Sequence, residues 1–202
     1  TDNTSAAATE WLRQVFERIC DRDGFPRHRI HGLRMTSRMC DFPFEIIPIK
    51  PLDMQKWNIF VNREVPKHIT SDFAMSVHED GFPIAVSKWR PEFLKYDYIG
   101  APWHDGVVGN GGFNIESRSL MQAKLHMPAT PDESTTASDT YICRNRKHEL
   151  EKIGIRFAPM DVATKFSTET IFNDKPSFGF HGRNWPDSKY EKAWEILANH
   201  GF

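Results

Sequence analysis

Apolar residues recur at helical spacing at Ala8, Trp11, Leu12, Val15, Phe16 and Ile19, with Thr4 or Ser5 placed to cap; the pattern predicts an opening helix. A break over residues 21–26 precedes short apolar stretches near 29–35 and 44–47, the second kept short by Pro43 and Pro48. A helix is predicted near 53–65, with Trp57, Phe60 and Val61 on one side. Residues 73–77, Phe-Ala-Met-Ser-Val, read as a buried strand that ends in His78-Glu79-Asp80-Gly81. The stretch 96–103 reads as a short strand running into a turn. Gly109-Asn110-Gly111-Gly112 then opens an alternating segment, Phe113-Asn114-Ile115, and a helix that Ser117 can cap. Residues 127–137 are rich in Pro, Ser and Thr and predict a surface loop. A helix over 139–153, capped by Ser138 and stopped by Gly154, follows. The tail predicts an amphipathic helix over 186–200 with Tyr190, Trp194 and Leu197 inward. Helices alternating with short apolar strands imply an α/β sandwich around a mixed sheet. With no internal repeat or long linker, residues 1–202 read as a single domain.

Composition narrows the function classes. The 26 Lys and Arg balance 27 Asp and Glu, leaving a net charge of −1 and no basic face for nucleic acid. No apolar run approaches the length of a membrane span. Cys20, Cys40 and Cys143 stand singly, without CxxC spacing, which argues against a disulfide framework or a thiolate zinc site and for a reducing, cytoplasmic setting. The chain starts at Thr1 without a Met or a signal-like apolar segment, which reads either as a fragment of a larger polypeptide or as a trimmed chain. Fifteen Phe, 6 Trp and 13 Pro suit aromatic-lined pockets built from loops.

Four segments could carry chemistry. His78-Glu79-Asp80 sits where a strand ends, and open α/β sheets bind ligands outside the carboxyl ends of their strands. Carboxylates there could hold a divalent cation, or could form a solvated acidic turn. The glycines at 109, 111 and 112 could let the backbone approach something bulky or permit a tight turn; they match neither a dinucleotide fingerprint nor a P-loop. Asp139, in the first turn of its helix, reads either as a partner of the helix dipole or as a general base. His181, within Phe178-Gly179-Phe180-His181-Gly182, reads either as a metal ligand or as a structural histidine. Among the tryptophans, Trp103 beside the glycine cluster is the best candidate to stack on a sugar.

Taken in order, Asp80-Gly81-Phe82, the string Tyr96 to Trp103 (YDYIGAPW), Val108 to Phe113 (VGNGGF), Ile155 to Pro159 (IRFAP) and Phe178 to Gly182 (FGFHG) resemble a family of sparsely characterised glycosyltransferase domains of the GT-A type. Such domains occur in bacteria and in large DNA viruses of algae. The similarity spans roughly residues 44–182. It implies a GT-A, Rossmann-like fold whose central sheet is mixed but mostly parallel and flanked by helices. It further implies a UDP- or GDP-type nucleotide-sugar donor, a glycan or glycoprotein acceptor, and Mn²⁺ or Mg²⁺. In that frame Asp80 is the expected direct metal ligand, with Glu79 and His78 beside it, since His78 replaces the first Asp of the usual Asp-x-Asp triplet. His181 completes the metal site. Gly109, Asn110, Gly111 and Gly112 border the donor with Trp103, and Lys56 or Arg183 would face the phosphates. Asp139 matches the base of inverting members. A first strand expected of the fold would already be ending at Thr1-Asp2-Asn3.

The expected activity is therefore metal-dependent, hexosyltransferase-like transfer by an enzyme of the cytoplasm, or of the host cytoplasm for a viral protein. A capsid-protein glycan would then be the natural acceptor. Two competing readings are a non-catalytic carbohydrate-binding module on the same fold and, more weakly, a metal-dependent hydrolase; no His pair has HxH or HxxxH spacing to support the latter.

Overall fold

A computed structural model describes residues 33–36, 45–78, 81–171 and 177–182. The predicted first helix and tail helix, together with Cys20, Cys40, Glu79, Asp80 and Arg183, lie outside the described residues.

The apolar stretches before residue 50 form β1 (Leu33–Thr36) and β2 (Glu45–Pro48), a parallel pair. Helix α1 (Met54–Arg63) begins where Asp53 caps it: Asp53 Oδ1 accepts from the Lys56 backbone N–H at 2.8 Å. Its two fully buried positions are Asn58 and Asn62. Trp57 and Phe60, expected on one side of the helix, are half-buried and stack on one another at 5.9 Å. A single helical turn, α2 (Val65–His68), precedes β3 (Phe73–Val77).

The middle of the chain builds a three-stranded sheet in the order β3–β6–β5, with β5 at Tyr98–Ile99 and β6 at Phe113–Ser117. Both pairings are antiparallel. A second three-stranded sheet joins β4 (Gly81–Pro83), β8 (Gly179–His181) and β7 (Ser167–Thr168) in the order β4–β8–β7. Among the described residues the parallel strand pairs are β1–β2 and β7–β8, with one isolated parallel bridge from Tyr98 to Phe157, so the architecture is mixed α/β with small sheets. The mostly parallel central sheet expected from the sequence is not seen among them: β3–β6–β5 is antiparallel throughout. A connection of 13 residues between β5 and β6 carries the glycine loop instead of a crossover helix, and such a link returns the chain antiparallel.

Side chains of β6 alternate between two faces, as strand geometry requires. Phe113 and Ile115 enter one core with Trp89, Phe93, Phe166 and Phe178. Phe113 and Phe166 stack with ring centroids 4.8 Å apart, and Phe93 meets Phe166 edge-on at 5.3 Å. Asn114 and Glu116 point the other way, beside Tyr98, toward a second core of Leu120, Tyr141, Ile142, Cys143 and Leu150. Helix α3 (Arg118–His126) closes over this face and is capped by Ser117, whose Oγ accepts from Leu120 N–H at 3.1 Å. The same hydroxyl donates to the buried Asp97 carboxylate, whose other oxygen accepts from Arg156 N–H. These bonds pin β5, β6 and residues 155–158 together.

The predicted helix after residue 138 is less regular than its periodicity suggests. It consists of α4 (Ser138–Thr140), a π-helical turn (Tyr141–Asn145) and α5 (Lys147–Lys152), and Ala137 rather than Ser138 occupies the cap position. Gly154 ends it at φ +93°. A last helix, α6 (Met160–Phe166), leads into β7. The loop before α4 is not wholly a surface feature, because Glu133 is buried and forked to Arg63 at 2.6 and 2.8 Å. Arg63 also donates to the carbonyls of Lys124 and Met127, fastening the end of α3 and the loop to α1. Among the described residues no helix is long and apolar enough to cross a membrane.

Candidate functional site

The glycine loop between β5 and β6 is where the distant segments meet. Asn110 sits at φ +75°, a conformation that Asn tolerates because its short amide can bond locally. Its Oδ1 accepts from Gly112 N–H at 3.0 Å, and its backbone carbonyl accepts from the Tyr98 hydroxyl at 3.0 Å. Burial pushes the Tyr98 hydroxyl well above its ordinary pKa, so it stays a neutral donor. Asn114 Nδ2 in turn donates to the Tyr98 oxygen at 3.1 Å.

The glycines serve close approach, each to a different neighbour. A Cβ on Gly112 would fall 1.9 Å from His181 Nε2, and one on Gly109 would fall 2.0 Å from the Trp103 ring. Gly111 has more room, with Asp139 Cβ 3.3 Å from the corresponding point. Its N–H donates to Asp139 Oδ2 at 2.9 Å, while Asp139 Oδ1 accepts from Thr140 N–H at 2.7 Å. Two backbone dipoles therefore fix the carboxylate against the loop.

His181 arrives on β8 opposite Gly81 of β4. Its Nδ1 is 2.9 Å from Asn110 Nδ2 and 3.1 Å from Glu169 Oε1. One ring nitrogen has a single in-plane site, so the two neighbours favour opposite tautomers. Accepting from Asn110 places the proton on Nε2; donating to Glu169 leaves Nε2 with its lone pair. The His78 ring lies 6.3 Å from that of His181, and His78 bridges to Gly81.

The structure thus brings together Asn110, Gly111, Gly112, Asp139 and His181, with His78 adjacent. Trp103 is held against Gly109, with the Arg144 guanidinium 4.5 Å from its ring centroid. Lys56 is not brought to the cluster by any contact: its ammonium bonds Asp53 at 2.7 Å on the exposed start of α1. Asp80 and Glu79 are outside the described residues, and among the described residues no three His, Cys, Asp or Glu side chains group as a metal site. Sequence reasoning missed Glu169, Tyr98, Asn114 and Asn62. Asn62, Ser76, Asn114 and Glu116 line a recess beside Gly111 and Asp139. Polar residues on an alternating strand or a helix face read as solvent-facing, and only the pairing of Ser76 with Asn114 across β3 and β6 shows otherwise.

Fold and cluster define a mixed α/β protein with a polar site at a glycine loop. The chain belongs to a family described as "Protein of unknown function (DUF5672)", which matches residues 58–181. The chain is also similar to a solved structure titled "Crystal structure of a glycosyltransferase involved in the glycosylation of the major capsid of PBCV-1", with a TM-score of 0.49 and 11% identity over 94% of this chain and 92% of that one. None of the curated proteins searched matches.

Proposed function

We propose that this chain is a GT-A-type glycosyltransferase domain that moves a sugar from a nucleotide-sugar donor to a hydroxyl of a glycan or glycoprotein acceptor in the cytoplasm. The observation that carries the reading is the convergence on one glycine loop of Asp139, 28 residues away at Gly111, and His181, 71 residues away at Asn110. The glycine loop and His181 lie in two of the strings whose sequence resembles such enzymes, and Asp139 matches the position of their base. Asp139 supplies the base: its oxygens are oriented by two N–H groups and retain lone pairs to accept the proton of an attacking hydroxyl. In that role transfer proceeds with inversion at the anomeric carbon.

A divalent cation, Mn²⁺ or Mg²⁺, would be held by His181 Nε2 and by Asp80, and would screen the charge that develops on the departing nucleoside diphosphate. Glu169 suits this arrangement in one tautomer: when the neutral ring donates from Nδ1 to Glu169, its lone pair is on Nε2.

The test is a panel of UDP- and GDP-sugars with and without Mn²⁺, read by thermal shift and by donor turnover. Mn²⁺-dependent stabilisation by a nucleoside diphosphate is expected. Stabilisation by free glycans alone would instead mark a carbohydrate-binding module. Asp139→Asn should bind donor as the wild type does while turnover falls roughly 10²–10⁴-fold, the usual scale for loss of a general base. A mutant that transfers at the normal rate would remove Asp139 from this role.

A further inference from the structure

The recess beside Asp139 is small, about 20 Å³, which is room for one water-sized group and not for a sugar ring. Its walls hold an unusual concentration of unused hydrogen-bonding capacity. Asn62 is 1% exposed, and among the described residues neither its Nδ2 nor its Oδ1 has a partner. Asn114 is 3% exposed; its Nδ2 bonds Tyr98, but its Oδ1 has no partner among the described residues. Buried amides are normally satisfied, so two asparagines with orphaned atoms in the lining of one small recess ask for an occupant.

Charge decides the occupant's class. Glu116 on the same wall is bonded by the Lys124 ammonium at 2.8 and 3.1 Å, so a second cation there would meet an ammonium behind the carboxylate. An anion would face both Glu116 and Asp139. A neutral group that both donates and accepts suits Asn62 and Asn114, and a hydroxyl is that group at the size of a water. Asp139 and Gly111, both half-buried, also line this recess, so a ligand placed at the carboxylate can reach in.

We infer that the recess is a socket for one hydroxyl of a bound sugar, and that Asn62 determines which sugar is accepted. The inference rests on the transferase reading and deepens it. A hydroxyl in the socket bonds Asn62 and Asn114 and sets the orientation of the ring beside Asp139. A sugar lacking that hydroxyl leaves buried amides unpaired, a strong basis for rejection.

The experiment measures affinities of wild type, Asn62→Leu and the same-shaped Asn62→Asp for UDP, GDP, UDP-glucose, UDP-galactose and GDP-mannose with Mn²⁺, by calorimetry. For the nucleotide sugar that wild type binds best, Asn62→Leu should lose roughly 10- to 100-fold in affinity, the effect of one or two hydrogen bonds to buried groups. The parent diphosphate should change by less than about twofold. Singly deoxygenated versions of that donor complete a cycle: one position should weaken wild type and leave Asn62→Leu unaffected. If the hydroxyl belongs to the acceptor sugar, donor affinity holds and the loss appears in the KM for monosaccharide acceptors. Variants unchanged in donor affinity and acceptor KM would leave the recess to water and overturn the inference. Equal losses for diphosphate and nucleotide sugar would overturn it as well, because Asn62 would then act through the fold. A wild type that binds neither overturns the transferase reading itself.

Discussion

A methyl group on Gly112 would sit 1.9 Å from His181 Nε2, whereas one on Gly111 would sit 3.3 Å from Asp139 Cβ. The first distance is a collision with a ring wedged against the backbone, and the second asks its neighbour to give by a few tenths of an ångström. Gly112→Ala should therefore force His181 away from Asn110 and Glu169 and destabilise the fold by about 1–3 kcal/mol, the range for overpacking a tight site. Gly111→Ala should be markedly milder. Denaturant melts of both variants give the comparison, and the His181 imidazole resonances report whether the ring has moved. Equal melts would mean that the loop relaxes freely and that glycine is not required for the ring's approach. Asn110 differs in kind: its positive φ, its two side-chain bonds and its carbonyl bond to Tyr98 make one residue the joint between both halves of the site.

At the scale of elements, the position of Asp139 depends on how the segment before it is fastened. Arg63 at the end of α1 forks onto Glu133 and donates to two carbonyls at the end of α3, and Asn58 Nδ2 donates to the Ser134 carbonyl. Glu133 raises the pKa of Arg63, and both side chains are shielded, 18% and 5% exposed. Removing one partner strands the other charge. Arg63→Met should cost about 3–5 kcal/mol by leaving Glu133 buried and unpaired. Arg63→Lys should rescue little, since an ammonium cannot reproduce the fork. The double variant Arg63→Met/Glu133→Leu should recover most of the loss in a denaturant titration. A single variant as stable as the double would show that water replaces the guanidinium without penalty. This clamp also explains why a Pro-, Ser- and Thr-rich stretch lies ordered along two helices: its anchor is a charge pair 70 residues apart in sequence.

Across the whole molecule, local signals were legible and long-range polar contacts were not. Asp53, Ser117 and Gly154 announce helix ends because a cap acts within a few residues. Phe113 and Ile115 announce a core face because strand alternation is periodic. Nothing local marks Asn58 and Asn62 as buried, and Glu133 reads as loop surface, because what buries them lies in other elements. The order of strands was equally hidden, since short apolar stretches do not state their partners' direction. The second core carries a last consequence that composition alone does not give. Burial raises the Cys143 thiol well above 9.0 and the Tyr98 hydroxyl well above 10.0, so both are neutral in the folded state at pH values where an unfolded chain ionises them. The folded state then binds more protons than the unfolded one at alkaline pH. Stability from these groups is therefore present in full below the unfolded values, and it erodes as pH rises from there toward the folded ones. Denaturant melts from pH 8 to 10.5 should show a decline that steepens above pH 9, by up to about 1.4 kcal/mol per pH unit for each group. Cys143→Ala should lower stability at every pH by leaving a cavity, yet its decline above pH 9 should be shallower by up to one proton's worth. A slope identical to wild type would mean that the thiol ionises in the folded protein and that the second core admits water.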